Sequence, residues 1–317
     1  MPRRPSPSPR PPAWLKRLLL PAWNGGHRLA RSAGDRLDAV RARRFARCDC
    51  CGSFAAMLYR RRVIPDRLAE LWGLSPRVAE ALARKESLEC SACGAKLRGR
   101  RIARAVLDLY PGVGSPPVPP RSLAGWARLP ANRGLRVAEL NRIDGVHEAL
   151  APLPGLRPSD FREGVPPGAY VDGVRSEDLT SLTYPDAAFD LVLTSETLEH
   201  VPDLATALAE TLRVLVPGGR HVFTVPVLPG VGRTFARSVV GPDGSVRHLA
   251  TPICHPGGDV GYPVFTEFGA DLPDLLRRAG FEVEVRHGPT TEDDLAQVYV
   301  CQKPLDANPD AQGGGRA

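Results

Sequence analysis

Four cysteines occur in two short motifs of the same form in the first third of the chain. Cys48 and Cys51 make the first C-x2-C-G motif, and Cys90 and Cys93 make the second. Four thiolates suit tetrahedral Zn²⁺, and the glycine after each pair permits the turn that directs backbone amides toward sulfur. We therefore expect these four residues to hold a structural zinc ion. A disulfide framework or free buried thiols are the alternatives, and a reducing cell interior disfavours the disulfides.

The other three cysteines are assigned no chemistry. Cys50 lies inside the first motif and is either spare or exchanges with Cys48. Cys254 and Cys301 are interpreted as small apolar residues. Cys254 and His255 together would supply only two of the four ligands that a zinc site needs.

The strands and helices that would position a second functional site lie in the second half of the chain. Four of the five residues from Phe189 to Leu193 are apolar, which predicts a buried strand. Asp203 then begins a helix that stops at 217–219, and a second buried strand covers 221–225. A strand, a helix and a strand in this order form a βαβ unit of a parallel sheet. Ligands of such sheets bind at the carboxyl ends of the strands.

The flanking sequence extends this α/β pattern. Residues 226–267 are rich in proline and glycine and predict a long insertion. The remaining predicted elements are strands at 135–140, 155–160, 169–171, 281–285 and 297–301, with helices from 146 and over 270–279. The last two strands are close enough in sequence to form an antiparallel edge pair.

The run from Asp178 to Val225 resembles the type 11 group of class I S-adenosylmethionine-dependent methyltransferases. The residues shared with the family's motif are Asp178, the run 182–192, Leu198-Glu199-His200-Val201-Pro202 and Leu215-Val216-Pro217-Gly218-Gly219. The resemblance implies an α/β fold with a doubly wound, Rossmann-like sheet of seven strands, preceded here by a small helical zinc-binding module. The cysteine motifs ahead of such a domain resemble a bacterial subgroup with a cysteine-rich N-terminal segment.

One turn departs from the family's pattern. The family's first strand ends in an acidic residue followed by G-x-G-x-G, whereas Glu139 is followed by 140–145 with a single glycine, Gly145. Glycines at this turn let the backbone approach the cofactor closely. Because residues 140–144 carry side chains, we expect the methionine part of the cofactor to bind in a different position, or the domain to have lost cofactor binding.

The resemblance assigns S-adenosylmethionine contacts to residues at the strand ends. Glu139 would accept a hydrogen bond from the amino group of the cofactor, and Asp160 would bind its ribose hydroxyls. Asp178 and the Leu179 backbone would hold its adenine. Asn141 and Gly145 belong to the first turn, and Thr194 and Ser195 would face the methionine. Ordinary strand-end carboxylates are the alternative for Glu139 and Asp160, and a helix cap is the alternative for Asp178.

Two histidines are candidate catalytic residues. A base is needed only if the methyl acceptor carries a proton, and histidine has a suitable pKa for that task. His255 is the first candidate because the 226–267 insertion is expected to form the substrate wall, together with His248, Asp259, Tyr262 and Glu267. His200 is the second candidate, with a structural hydrogen bond as its alternative role.

Charge and composition bound the domain organisation of the 317 residues. Residues 1–110 hold 24 basic and 9 acidic residues, a net charge of +15, while 111–317 hold 18 and 26, a net charge of −8. A basic first half suggests an anionic partner, with a solvated surface as the alternative. We predict a basic, partly disordered and partly helical segment (1–47), a cysteine-rich zinc module (48–110), a linker (111–133), a methyltransferase domain (134–303) and a disordered tail (304–317).

These patterns lead to one functional expectation and two alternatives. We expect a cytoplasmic S-adenosylmethionine-dependent methyltransferase acting on an unidentified acceptor, a small molecule or a glycan. No run of 18 apolar residues predicts a membrane span, and the apolar run near residue 18 is too short and too charged for a secretory signal. The alternatives are a zinc-bearing scaffold protein with a degenerate domain and a methyltransferase directed at RNA.

Overall fold

The computed structural model describes residues 44–59, 69–70, 72–111, 120–227, 229–241, 243–255, 261–288 and 295–305. Residues 1–43 and 306–317, which make up most of the predicted N-terminal segment and most of the predicted disordered tail, lie outside these ranges. So do residues 112–119 of the predicted linker and Asp259 of the predicted substrate wall.

The cysteine-rich region combines strands with helices. Its described elements are β1 (Arg44–Arg47), β2 (Phe54–Tyr59), α1 (Pro76–Ser87), β3 (Leu88–Cys90) and α2 (Leu97–Leu109). The strands form an antiparallel sheet in the order β1-β2-β3. The predicted small helical module at 48–110 thus also contains the strands β2 and β3, and β1 lies at the end of the segment 1–47 that was predicted to be disordered or helical. The apolar run of β2 is too short for periodicity to separate a strand from a buried helix.

The two helices of this region agree with the sequence signals. The Ser75 hydroxyl caps α1 by accepting from the Val78 backbone nitrogen at 3.4 Å, and Pro76 occupies the first turn. Helix α2 buries an apolar stripe that includes Ile102 and Val106. The stripe faces the large sheet, so α2 connects the cysteine motifs to the rest of the fold.

The second half of the predicted linker folds back onto the first cysteine motif. Helix α3 (Leu123–Ala127) is capped by Ser122 and buries Trp126 completely. The backbone nitrogens of Leu123 and Ala124 donate to the carbonyls of Asp49 and Cys50 at 2.7 and 2.9 Å. The domain boundaries stay a prediction. The packing is nevertheless continuous between the first cysteine motif and the second half of the predicted linker.

The main sheet has eight strands. In chain order, its elements and helices are β4 (Val137–Leu140), α4 (Val146–Leu150), β5 (Leu156–Asp160), β6 (Tyr170–Val171), β7 (Val174–Ser176), β8 (Phe189–Ser195), α5 (Leu204–Val214) and β9 (Leu215–Thr224). The chain continues through β10 (Phe235–Ala236), β11 (Ser238–Val240), β12 (Val246–His248), β13 (Cys254–His255), β14 (Tyr262–Pro263), β15 (Thr266–Glu267), α6 (Leu272–Arg278), β16 (Glu282–Arg286) and β17 (Val298–Gln302).

The strand order of the main sheet is β16-β17-β9-β8-β4-β5-β7-β6. Strands β7, β5, β4, β8 and β9 are parallel, whereas β17 is antiparallel to both β9 and β16. The predicted doubly wound sheet with an antiparallel final pair is thus confirmed. The predicted third strand at 169–171 is β6, an extra edge strand that is antiparallel to β7. The third parallel strand is β7, which the sequence analysis missed.

Each face of the sheet has its own core. Val137, Leu191 and Val222 point into a core shared with α2, α3 and α4. Their neighbours Ala138 and Val192 point into the opposite core, together with residues of α5 and α6. Successive strand residues face opposite sides, so alternate apolar positions of β4 and β8 supply both cores.

The second cysteine motif rests directly on the turn after β4. A Cβ atom at Gly145 would lie 2.5 Å from the Ala95 Cβ, and φ at Gly145 is +71°. The Lys96 ammonium lies 2.9 Å from the Asp144 carboxylate. Gly145 is therefore required both by its left-handed backbone and by the close approach of the module.

Replacement of Gly145 tests this contact. Gly145→Ala adds a clash with Ala95 to the cost of a left-handed alanine, so we expect a loss of about 3 kcal/mol in unfolding free energy. Gly173→Ala is the matched control, because Gly173 has φ +74° and nothing within 4 Å of the added Cβ. Its expected loss is only about 1 kcal/mol. Urea unfolding measures both, and equal losses would contradict the contact.

Candidate functional site

Glu139 organises the turn at the end of β4. Its side chain is fully buried, and Oε1 accepts a hydrogen bond from the Ile143 backbone nitrogen at 3.0 Å. The other oxygen lies 2.7 Å from Nδ1 of His147. That hydrogen bond raises the pKa of His147. Both oxygens of Glu139 thus hold the turn from β4 to α4 in shape.

Asn141 supplies the backbone conformation that a glycine would otherwise give. Its φ is +65°, and asparagine is one of the few residues that enter this left-handed region readily. Its Oδ1 accepts from the Phe161 nitrogen at 2.8 Å, and its amide lies 3.5 Å from the Thr197 hydroxyl. Asn141 therefore connects the carboxyl ends of β4, β5 and β8 in a turn with few glycines.

Asp160 is the last residue of β5, as predicted, whereas Asp178 lies just after β7, a strand that was not predicted. Asp160 accepts from the Arg142 backbone nitrogen and from its guanidinium, each at 3.1 Å. Asp178 accepts from the nitrogen and the hydroxyl of Thr180 at 2.9 and 2.8 Å, ahead of a nearly buried Leu179. Both carboxylates are at the carboxyl edge of the sheet, and both already have partners, Asp160 from the turn after β4 and Asp178 from its own turn.

Thr194 and Ser195 end β8 with different surroundings. The Thr194 hydroxyl is buried 2.9 Å from Nε2 of His221, on the neighbouring strand. Burial lowers the pKa of His221 to about 3, so this pair is neutral inside the sheet. The Ser195 hydroxyl lies 2.9 Å from that of Thr224 and accepts a short hydrogen bond from Arg98. Ser195 is thus the residue of this pair that meets the N-terminal module.

Two cations of the N-terminal module reach the end of β8. Lys85, whose side chain is fully buried, donates to Glu196 at 2.9 Å and to the Val225 carbonyl at 3.0 Å. Arg98 donates to Glu86 at 3.0 Å as well as to Ser195. Helices α1 and α2 therefore complete the edge of the sheet that faces the candidate cofactor site.

The sequence analysis missed these cations. Lys85 lies near a helix end, where basic residues are common, so its position alone does not indicate a buried partner. One signal was available, since Lys85 is one of four lysines among 42 basic residues. Arg98 had no comparable signal.

Glu199, His200 and His255 form a second cluster beyond β8. One ligand atom from each lies within 4.8 Å of the others. Nδ1 of His200 donates to the Pro263 carbonyl at 2.8 Å. Burial lowers the pKa of His200, while the Glu199 charge opposes that effect. The structure thus brings together the two predicted catalytic histidines and adds a buried glutamate that the sequence analysis did not select.

Aromatic rings flank this cluster. The Trp72 ring stands edge-on to His255 at 5.8 Å, and the Tyr262 ring lies 5.8 Å from His200. Two other residues of the expected substrate wall are occupied elsewhere. His248 lies 2.8 Å from the Ser238 hydroxyl, and Glu267 forms an ion pair with Arg237.

The four motif cysteines converge as predicted. Their sulfur atoms all lie within 4.8 Å of one another, with Cys48 and Cys93 at 3.7 Å and Cys51 and Cys90 at 4.0 Å. Tetrahedral Zn–S bonds of about 2.3 Å separate sulfurs by roughly 3.8 Å, so the donor set fits zinc. Cys50 instead points its thiol at the Gly99 carbonyl.

The fold and the strand-end residues define a class of protein. Five parallel strands, an antiparallel final pair and acidic residues at the carboxyl ends of β4, β5 and β7 agree with the arrangement implied by the resemblance to class I methyltransferases. Ligands of such sheets bind at this edge.

Comparisons with known proteins agree with this class. Residues 159–223 match the family model described as a methyltransferase domain. The chain is 33% identical to a ubiquinone biosynthesis O-methyltransferase of Thiobacillus denitrificans over 120 residues, which cover 38% of this chain and 47% of that relative. It is 30% identical to a probable S-adenosylmethionine-dependent methyltransferase of Mycolicibacterium smegmatis over 151 residues, 42% of this chain and 50% of that relative.

A solved methyltransferase structure is also similar. The S-adenosylmethionine-dependent methyltransferase of Mesorhizobium loti matches with 22% identity and a TM-score of 0.36, over 57% of this chain and 98% of that one. The sequence matches confirm the predicted resemblance: residues 159–223 match a methyltransferase domain, and the relatives that align with the chain carry methyltransferase names. It spans half or less of the length of the curated relatives that it matches. Within the described residues, no helix combines the length and the apolar character needed to cross a bilayer.

The buried Lys85–Glu196 pair gives a prediction about stability. Lys85→Met leaves the Glu196 charge enclosed without its cation, so we expect a loss of about 3 kcal/mol in unfolding free energy. Lys96→Met is the control, because the Lys96–Asp144 pair is more exposed and should cost under about 1 kcal/mol.

A second variant separates charge from packing in the same measurement. Adding Glu196→Gln to Lys85→Met removes the stranded carboxylate and should recover part of the lost unfolding free energy. An additive double variant would show that the pair is not coupled.

Proposed function

We propose that the protein is an S-adenosylmethionine-dependent methyltransferase that acts on a hydroxyl-bearing small molecule or glycan. The observation that carries the proposal is the meeting of the turn after β4 with the ends of β5, β7 and β8, within a domain that matches methyltransferases. The names of the T. denitrificans and Marinobacter nauticus relatives describe O-methyltransferases, which favours oxygen as the acceptor atom.

The residues at the strand ends fit the cofactor unequally. Asp160 has two acceptor oxygens at the edge of β5 and suits vicinal hydroxyls, provided that the partly exposed Arg142 side chain releases one of them. Asp178 and Leu179 are assigned to the adenine. Glu139 is assigned to shaping the turn, because both of its oxygens are already engaged. Bound there, the cofactor supplies a methyl group activated by its sulfonium charge.

The acceptor is assigned to the space beside His200 and His255. The His200 Nδ1 proton is committed to the Pro263 carbonyl, so Nε2 carries the lone pair. A neutral imidazole with a lowered pKa can take the proton of an acceptor hydroxyl. Trp72 and Tyr262 would contact the body of the acceptor, because aromatic rings bury apolar area while keeping a polar handle.

The four-cysteine cluster is assigned to structural zinc. Thiolates held for a metal fit a reducing compartment, which supports a cytoplasmic protein. The basic residues 1–43 lie outside the described ranges, and the proposal of an anionic partner for them rests on sequence alone.

Calorimetric titration with S-adenosylmethionine tests the proposed activity at its first step. We expect saturable heat from the full chain and at least tenfold weaker binding by Asp160→Asn, a loss of about 1.4 kcal/mol. Asp172→Asn is the matched control, because Asp172 is also paired with an arginine but is exposed and outside the candidate site. Absence of heat at high cofactor concentration would favour the scaffold alternative, in which the turn contacts of Glu139 and Asp160 are permanent.

Zinc content tests the cysteine assignment. Cys93→Ser should lower the metal content by one zinc ion per chain and reduce the melting temperature, by roughly 2–4 °C for each kcal/mol lost. Cys301→Ala is the control, because Cys301 is a core thiol whose pKa is raised by burial. It should leave the metal content unchanged. Equal metal content in Cys93→Ser and the parent protein would remove the zinc assignment.

A further inference from the structure

Glu199 carries a fully buried carboxylate. It lies in the 3-10 turn Leu198–His200, its side chain is fully buried, and neither oxygen has a hydrogen-bond partner within the described part of the chain. Enclosing an ionised carboxylate in this way is costly unless a cation or donors compensate. The carboxylate therefore calls for positive charge at this point.

The two imidazoles are placed around that carboxylate at the spacing of metal ligands. His200 Nε2 and His255 Nδ1 each lie 3.6 Å from Glu199 Oε1. Both distances exceed normal hydrogen-bond lengths. They approach the roughly 3.3 Å that separates two ligands bound at about 2.05 Å in a tetrahedral zinc site.

The surroundings of His200 orient it as a ligand. Its Nδ1 is bonded to the Pro263 carbonyl, which leaves the Nε2 lone pair directed toward the cluster. Metal-binding histidines commonly donate their other nitrogen to a carbonyl in this way. The nearby Glu196 is excluded from the ligand set, because Lys85 already neutralises it.

We propose that Glu199, His200 and His255 bind a divalent transition-metal ion, of which Zn²⁺ suits the donor set best. Two imidazoles and one carboxylate form a three-ligand zinc set that leaves a fourth position for water or an oxygen of a bound molecule. Magnesium and calcium prefer all-oxygen sites and fit less well. This site is separate from the four-cysteine cluster in both residues and ligand type.

The metal site adds detail to the proposed methyltransferase function, and its catalytic role rests on that proposal. An ion in this position would lower the pKa of a bound hydroxyl, and the two histidines would then hold the ion instead of taking the proton themselves. Metal binding itself can be measured without any activity, so the two proposals can fail separately.

Metal titration of the full chain is the test. Metal-depleted protein is loaded with Zn²⁺ alone, and bound metal is counted by mass spectrometry after gel filtration. We expect two ions per chain in the parent protein and one in His255→Gln. His248→Gln is the control, because His248 lies in the same insertion but is bonded to Ser238, away from the cluster. It should retain two ions.

Cobalt substitution shows which site loses its ion. Co²⁺ in the four-cysteine site gives a sulfur-to-metal charge-transfer band, whereas Co²⁺ on nitrogen and oxygen ligands gives only ligand-field bands. His255→Gln and Glu199→Gln should keep the charge-transfer band, which also reports that the module is folded, and should lose the second set of bands. A single ion in the parent protein, or two ions in folded His255→Gln, would overturn the proposal.

Discussion

The contact between the second cysteine motif and the turn after β4 is the constraint on which the rest of the site depends. Ala95 packs where any side chain at position 145 would have to sit, and Lys96 pairs with Asp144 in the same turn. The turn is thus held by hydrogen bonds to the Glu139 carboxylate and by packing against the second cysteine motif. A turn with few glycines keeps its form because an adjacent module fixes it, with Asn141 and Gly145 adopting its two left-handed conformations.

The same packing brings buried charge to the edge of the sheet. Lys85 and Arg98 enter from helices α1 and α2 and meet Glu196, Glu86 and Ser195 at the end of β8. Such pairs add little net stability, because desolvation offsets their attraction. Their effect is positional, since removing either partner leaves a charge enclosed. The cysteine-rich region therefore forms part of the candidate site, and its helices cover one face of the sheet.

The sequence predicted the elements whose local signals agree with the fold. The buried strand from Phe189, the Asp203 helix cap and the antiparallel final pair were all predicted and are all present. Strand β7 was missed because three residues carry no periodicity. The adjacent Asp172-Gly173 turn, with both residues at positive φ, was a usable hairpin signal that was passed over.

The candidate site was predictable only in part. Strand-end acidic residues follow from the family resemblance, and the four cysteines follow from their spacing. The partners of those residues depend on long-range packing, as with Lys85 and Glu196, which are 111 positions apart. The role of Glu199 could not be predicted for a related reason. It depends on His255, which the folding of the insertion brings beside Glu199. Pairings of this kind have no local signature.

Amide hydrogen exchange of the turn after β4, with and without a zinc chelator, tests the central claim most directly. If the cysteine motif fixes this turn, metal removal should speed exchange at residues 143–147 by tenfold or more, while exchange in α5, which packs in the opposite core, stays unchanged. Addition of S-adenosylmethionine should then protect the turn in the metal-loaded protein and not in the chelated one. Unchanged exchange in the turn after verified loss of zinc would contradict the account.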